Sequence, residues 1–164
     1  MIFVTVGTHE QQFNRLVEYM DTWAGDHKEE VVIQTGFSTY KPKKTDWIEL
    51  LPYNRMIDYI NMARIVITHG GPSSFLLPLQ FGKIPIVVPR NSEFHEHINN
   101  HQIEFCRKVS KCYKNIIVVE DVNDLGEVLV DYEEIIKGFN NILNSNNERF
   151  CTEFEKIVTD LVHM

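Results

Sequence analysis

The chain has 164 residues, a length that suits one domain able to bury a core without disulfides or a structural metal. Hydrophobic residues make up 43%, yet no apolar run reaches the roughly 18–20 residues of a membrane span, and the three cysteines, Cys106, Cys112 and Cys151, make no CxxC pair; both features suit a cytoplasmic protein with reduced thiols. The net charge of −7 sits in the last quarter, where residues 120–164 carry 3 basic and 11 acidic side chains against 13 and 12 in residues 1–119, so general nucleic-acid binding is excluded.

The N-terminus, MIFVTVGT, lacks the charged start and cleavage site of a signal peptide and reads as a first strand, Ile2–Val6. Gly7-Thr8-His9 then forms a glycine turn. Phe13, Leu16, Val17, Met20 and Trp23 fall on one helical face. Val31–Ile33 reads as the next strand and runs into Gln34-Thr35-Gly36. Residues 37–45 are polar and basic and read as a loop. Trp47–Leu51 reads as a strand, and Asn54 as the cap of a helix through Ala63.

A central unit follows. Ile65–Thr68 is a β-branched strand, His69-Gly70-Gly71 a turn, residues 72–81 a helix, Gly82-Lys83 a turn and Ile84–Val88 a second strand. This is one βαβ unit of a parallel sheet. Pro72 fits a first helical turn, and Ser73 and Ser74 place hydroxyls where the helix dipole is positive. Pro78, inside the same segment, should kink or shorten the helix. Asn99–Val109 reads as a helix, Ile116–Val119 as a last strand and Asp124–Ile136 as a helix, with Gly138 interrupting the pattern. From Asn147 a final amphipathic helix carries Phe150, Phe154, Ile157, Val158, Leu161 and Val162 on one face. Strand–helix alternation without an internal boundary makes the expected fold a single doubly wound α/β domain, residues 1–164, with 147–164 as its C-terminal helix.

Two glycine turns, each opening a helix in one parallel sheet, favour a phosphate-containing ligand at the carboxyl ends of the strands. Neither turn is a Walker A loop or a G-x-G-x-x-G fingerprint, which disfavours ordinary ATP and NAD sites. His95, His97 and His101 are concentrated in seven positions, and His97 with His101 has the i, i+4 spacing of zinc ligands. Third ligands are not evident and no HExxH order is present, so hydrogen bonding to a polar ligand or a plain surface role is the better reading. Gly71-Pro72-Ser73-Ser74 is not a nucleophile elbow, which argues against a Ser/His/Asp hydrolase. The basic clusters Lys41, Lys43, Lys44 and Arg107, Lys108, Lys111, Lys114 are either solvated surface or face phosphate or anionic lipid.

The ordered series VTVGTHEQQFNRL, VVIQTGFSTY, VITHGGPSS, GKIPIVVPR and EHINNHQ resembles the C-terminal, donor-binding half of GT-B glycosyltransferases of family 28, over about residues 1–120. In particular it is similar to the small stand-alone form, the soluble subunit of two-part transferases for lipid-linked sugars, of the bacterial β-1,4-galactosyltransferase enhancer type in capsule and exopolysaccharide synthesis. The resemblance implies a Rossmann-like half of a GT-B fold. It implies a UDP-sugar donor, with UDP-galactose expected, no metal requirement, and an inverting transfer onto a lipid-diphosphate-linked saccharide. The acceptor would be held by a membrane-anchored partner subunit at the inner face of the membrane, the chain having no room for a second, acceptor-binding domain. Carried over by position, Gly7, Thr8 and His9 belong near the diphosphate, with His9 as candidate base. Gln34 and Gly36 match the second turn, and Tyr53 and Met56 the region holding the uracil. His69, Gly70, Gly71, Ser73 and Ser74 match the phosphate-binding helix start. Glu96, His97, Asn100 and Gln102 match the segment facing the sugar, with Arg90 close enough to reach phosphate. The chain departs from the family at Leu77, where many relatives carry a glutamate for the ribose hydroxyls. That departure keeps open an alternative, a non-catalytic enhancer that stabilises and activates its membrane-associated partner.

Overall fold

The computed structural model describes residues 1–139 and 147–162. Six strands, β1 (Ile2–Thr5), β2 (Val31–Gln34), β3 (Asp46–Ile48), β4 (Ile65–His69), β5 (Ile86–Val88) and β6 (Ile117–Val118), form one sheet in the order β3-β2-β1-β4-β5-β6. All five pairings are parallel. The order reverses between β1 and β4, whose registers run Ile2 opposite Ile65 to Thr5 opposite Thr68. Such a reversal opens a crevice at the carboxyl ends of the strands.

The strands alternate their side chains between two cores, as a pleated strand must. Ile2, Val4, Ile33, Ile65 and Ile67 enter the larger core with Leu16, Val17 and Met20 from helix α1 (Asn14–Asp26) and Phe13 at its cap. Phe3, Val32 and Val66 point the other way, onto Ile60 and Ala63 at the end of helix α2 (Tyr53–Met62). Burial on both faces explains why the strands read as continuous apolar runs. Helix α3 (Pro72–Gln80) follows β4, and helix α4 (His101–Tyr113) follows β5 after a short 3-10 turn at Ser92–Phe94.

The expected elements are present with shifted edges. Pro52, not Asn54, occupies the cap position of α2, and no side chain caps it. Pro78 neither stops nor shortens α3, because it lies in the final turn and the helix ends two residues later at Gln80. The helix expected over 124–136 is broken into a 3-10 turn (Val122–Asp124), α5 (Leu125–Val130) and α6 (Tyr132–Ile136), with Asp131 between the two helices. The final helix, α7 (Asn147–Val162), begins where the sequence placed it. Of its apolar stripe, Phe154 and Val158 are exposed; the side chains of Phe150, Ile157, Leu161 and Val162 lie outside the described set.

Candidate functional site

Where the strand order reverses, the ends of β1, β2 and β4 open into a cleft of ≈ 520 Å³. One side is polar: Gly7, Thr8 and His9 from the turn after β1, and Ser73 and Ser74 from the first turn of α3. The other is apolar: Leu51, Tyr53, Met56 and Ile60, with Leu77 of α3. Thr5, Gln34 and His69 contribute from the strand ends. Among the described residues no carboxylate lines it. A second depression of ≈ 570 Å³ lies at the opposite ends of the strands, beside Met1, Glu30, Asp46 and Asp58. Its lining sets three carboxylates, Glu30, Asp46 and Asp58, against Arg55 and the N-terminus, a poor match to an anion.

The two glycine turns meet at His69. A Cβ on Gly7 or on Gly71 would overlap the imidazole, and Gly7 also adopts a left-handed φ of 75°. The glycines therefore make room for the ring. The Gly71 N–H donates to His69 Nδ1 at 3.0 Å, and the Gly70 N–H donates to Gln102 Oε1 at 3.1 Å. Neither amide is left to cradle a phosphate, which corrects the expectation for Gly70 and Gly71. The groups that remain at the start of α3 include the hydroxyls of Ser73 and Ser74 and the first-turn amide of Ser73. His69 Nε2 lies 2.7 Å from Ser74 Oγ. Burial, then the nearby Arg90 charge, holds the imidazole down at about 4, so the ring is neutral near pH 7.

Arg90, expected to reach phosphate, does not. It is fully buried, stacked 4.9 Å from the Phe13 ring centroid. Its guanidinium donates to the carbonyls of Gln11, Gln12, Glu96 and Val6 at 2.9–3.1 Å, which ties the first turn to the loop after β5. Glu96 is equally buried, and both its oxygens accept from Arg15 at 3.0 Å. Gln102 Oε1 also accepts the Arg90 amide at 3.1 Å, and Asn100 Oδ1 accepts from Ser92 at 2.9 Å. These three residues build the loop and do not face the cleft. Of the segment expected to face a sugar, only His97 adjoins the cleft: its ring lies 5.0 Å from that of His9 and 4.5 Å from that of His101. Burial first, then the neighbouring His101 and His9, lower the His97 pKa.

Gln34 is structural as well as lining: its amide donates to Gly7 O at 3.1 Å, and its Oε1 accepts from Thr5 Oγ1. Gly36 donates to Glu49 O at 2.9 Å, holding the turn after β2 to the edge of the sheet. Tyr53 and Met56, both on α2, line the apolar side of the cleft. Thr5, Leu51 and Ile60 were not singled out in the sequence; the end of a β-strand at a reversal of strand order is the signal that could have found Thr5. Among the described residues no group of three His, Cys, Asp or Glu side chains could hold a metal ion.

Solved structures share the fold at low identity. The glycotransferase of kitacinnamycin is 16% identical, with 79% of this chain and 34% of that chain covered and a TM-score of 0.57. CalG4, the calicheamicin glycosyltransferase, is 16% identical, with 98% of this chain and 43% of that chain covered and a TM-score of 0.55. The chain thus spans well under half the length of either. No curated protein matches it. The model of the glycosyltransferase family 28 C-terminal domain matches residues 1–153, and the chain belongs to that family.

Proposed function

We propose that the chain binds the UDP-sugar donor, with galactose as the sugar, for a two-part inverting glycosyltransferase whose membrane-anchored partner holds a lipid-diphosphate-linked acceptor in capsule or exopolysaccharide synthesis. The observation that carries this reading is the two-sided cleft: hydroxyl donors and a helix N-terminus along one side, an apolar side for a base along the other, and no carboxylate between them. In the transfer, an acceptor hydroxyl attacks the anomeric carbon, the bond from that carbon to the diphosphate oxygen breaks, and the acceptor proton passes to a base. Negative charge develops on the departing UDP. Ser73, Ser74 and the start of α3, which line the cleft, would stabilise it.

His9 suits the same task better than that of base. Its Nδ1 accepts the Gln11 N–H at 3.2 Å, so the neutral ring carries its proton on Nε2 and offers a donor. The base then belongs to the partner. Among the described residues no helix is long and apolar enough to cross a membrane, which suits recruitment through such a partner. The test is a reconstituted complex assayed with UDP-galactose, UDP-glucose and UDP-N-acetylglucosamine, with and without EDTA. Transfer should be fastest from UDP-galactose and persist in EDTA; complete loss in EDTA contradicts the metal-free mechanism.

Leu77 in the apolar side favours one second reading, the enhancer. Gly71→Asp displaces the His69 ring and puts a carboxylate beside the helix start. Activity unchanged in an intact complex of that variant would show the cleft to be unused.

A further inference from the structure

The two basic clusters of the sequence part company in the structure. Lys43 and Lys44, on the loop after β2, share a hollow of ≈ 320 Å³ with Glu29, Glu30 and Asp46, and Lys41 lies 4.7 Å from the Trp47 ring centroid. That surface is mixed in charge. The other cluster lies on α4 and at its end. There Arg107 is held by both oxygens of Glu120 at 2.5 and 2.6 Å. Lys108, Lys111 and Lys114 are exposed, and among the described residues no ion pair engages them. Asp58 and Glu93 are consecutive acidic residues in the sequence, as are Glu104 and Glu120, so α3 carries no carboxylate and α4 none after its first turn. Glu104, one turn before Lys108, and the Arg107-bound Glu120 are the opposing charges. The same surface is partly apolar. Phe75 of α3 meets Phe105 of α4 with ring centroids 6.1 Å apart, which joins the two helices. On them Leu76 is 42% exposed, Phe105 38% and Tyr113 64%.

We propose that the outer faces of α3 and α4 are a docking surface for an anionic bilayer, with Lys108, Lys111 and Lys114 on lipid phosphates and Leu76, Phe105 and Tyr113 at the boundary of the acyl chains. Charge complementarity carries the choice of occupant: lysines free of carboxylate partners, interleaved with exposed apolar side chains, meet at a lipid interface both the anions and the apolar layer they lack. Aromatic side chains such as Tyr113 are favoured at that depth. α3 serves two surfaces at once. Ser73, Ser74 and Leu77 line the cleft, while Leu76 stands exposed between them. Docking through α3 and α4 would set the cleft beside the membrane. The inference goes beyond the proposed function, in which the partner alone touches lipid, and it holds whether or not the cleft takes a nucleotide.

Vesicle co-sedimentation of the full chain, without its partner, tests this. The chain should sediment with vesicles of equal parts phosphatidylglycerol and phosphatidylcholine and stay in solution with phosphatidylcholine alone. Lys108→Ala with Lys111→Ala should weaken binding about fivefold per lysine. Added salt should weaken the wild type more steeply than this double variant. Tyr113→Ser should weaken binding at every salt concentration and leave the salt dependence as it was. Lys41→Ala with Lys43→Ala, on the surface of mixed charge, should leave binding unchanged. All five positions are exposed, so each variant should keep the wild-type melting temperature. Absence of binding, equal binding to both kinds of vesicle, or the same loss from the Lys41 and Lys43 pair would overturn the proposal. Self-association without lipid that disappears in the Lys108 and Lys111 variant would also overturn it, by showing that a second copy covers this face. None of these outcomes bears on the UDP titration of the cleft, so the two readings fail separately.

Discussion

Arg90 carries the main lesson at the scale of single residues. Arginine next to a glycine-rich anion site invites assignment to phosphate, but here the guanidinium joins four carbonyls from three chain segments. Lysine cannot bridge them, because its ammonium is a point charge without the planar fork. Arg90→Lys should therefore destabilise the fold by about 3 kcal/mol in urea unfolding, with the UDP affinity of the remaining folded protein little changed. Asp21 is a second such anchor. Its buried carboxylate accepts the Lys43 and Lys44 amides, Thr45 Oγ1 and Tyr40 Oη at 2.8–3.1 Å, and so pins the basic loop 37–45 to α1. Burial pushes its pKa up, but these hydrogen bonds together outweigh burial and hold it below the usual carboxylate value. The stability it contributes is present at neutral pH and fades as acid protonates it. Asp21→Ala should cost about 3 kcal/mol and loosen hydrogen exchange in that loop first. His69 works in the same sense on binding protons, over a higher pH range. Its folded pKa of about 4 lies below the ordinary 6.5, so between those values the unfolded chain binds a proton that the folded chain refuses. Unfolding free energy should fall as pH drops from 6.5 toward 4, by on the order of 3 kcal/mol, and His69→Asn should flatten that slope. The residue types at the site were legible in the sequence, and their roles were not. Gly70 looks like an anion cradle until Gln102, 32 positions on, takes its amide. No local pattern predicts a partner so distant.

Individual elements were more legible, because their signals are local. The apolar runs from Ile2, Val31 and Ile65 became β1, β2 and β4, and the face from Phe13 to Trp23 became the buried side of α1. Helix ends were read less well. Asn54 has the chemistry of a cap but lies inside α2, because Pro52 already sets the extended backbone that precedes a helix. The segment 124–136 kept its helical period yet broke at Asp131, a residue with low helix propensity, between two short helices. α7 raises the question of docking. Its residues 151–156 and Val158 are exposed, as is every other side chain described in it. We expect deletion of residues 149–164 to leave a domain whose melting temperature drops by less than about 4 °C, and to abolish co-purification with the partner subunit. An unfolded truncation product would show that the helix belongs to the core; a folded one that still binds would remove the helix from the interface.

For the whole molecule, the central question is whether this cleft takes a nucleoside diphosphate. The net charge of −7 is carried by residues 120–164, and among the described residues none of that segment lines the cleft. Among the described residues no lysine or arginine lines the cleft, so binding there rests on hydroxyls, the helix start and apolar contact with the base. UDP affinity should then change less than about threefold between about 0.05 and 0.5 M salt, a weak dependence for so charged a ligand. The most direct test is amide NMR of the full chain titrated with UDP. The account predicts saturable shifts concentrated at Gly7, Thr8, Tyr53, Met56, Ser73, Ser74 and Leu77, around the reversal between β1 and β4. Shifts confined to Met1, Glu30, Asp46 and Arg55 at the opposite ends of the strands, or no saturable shift at all, would contradict it.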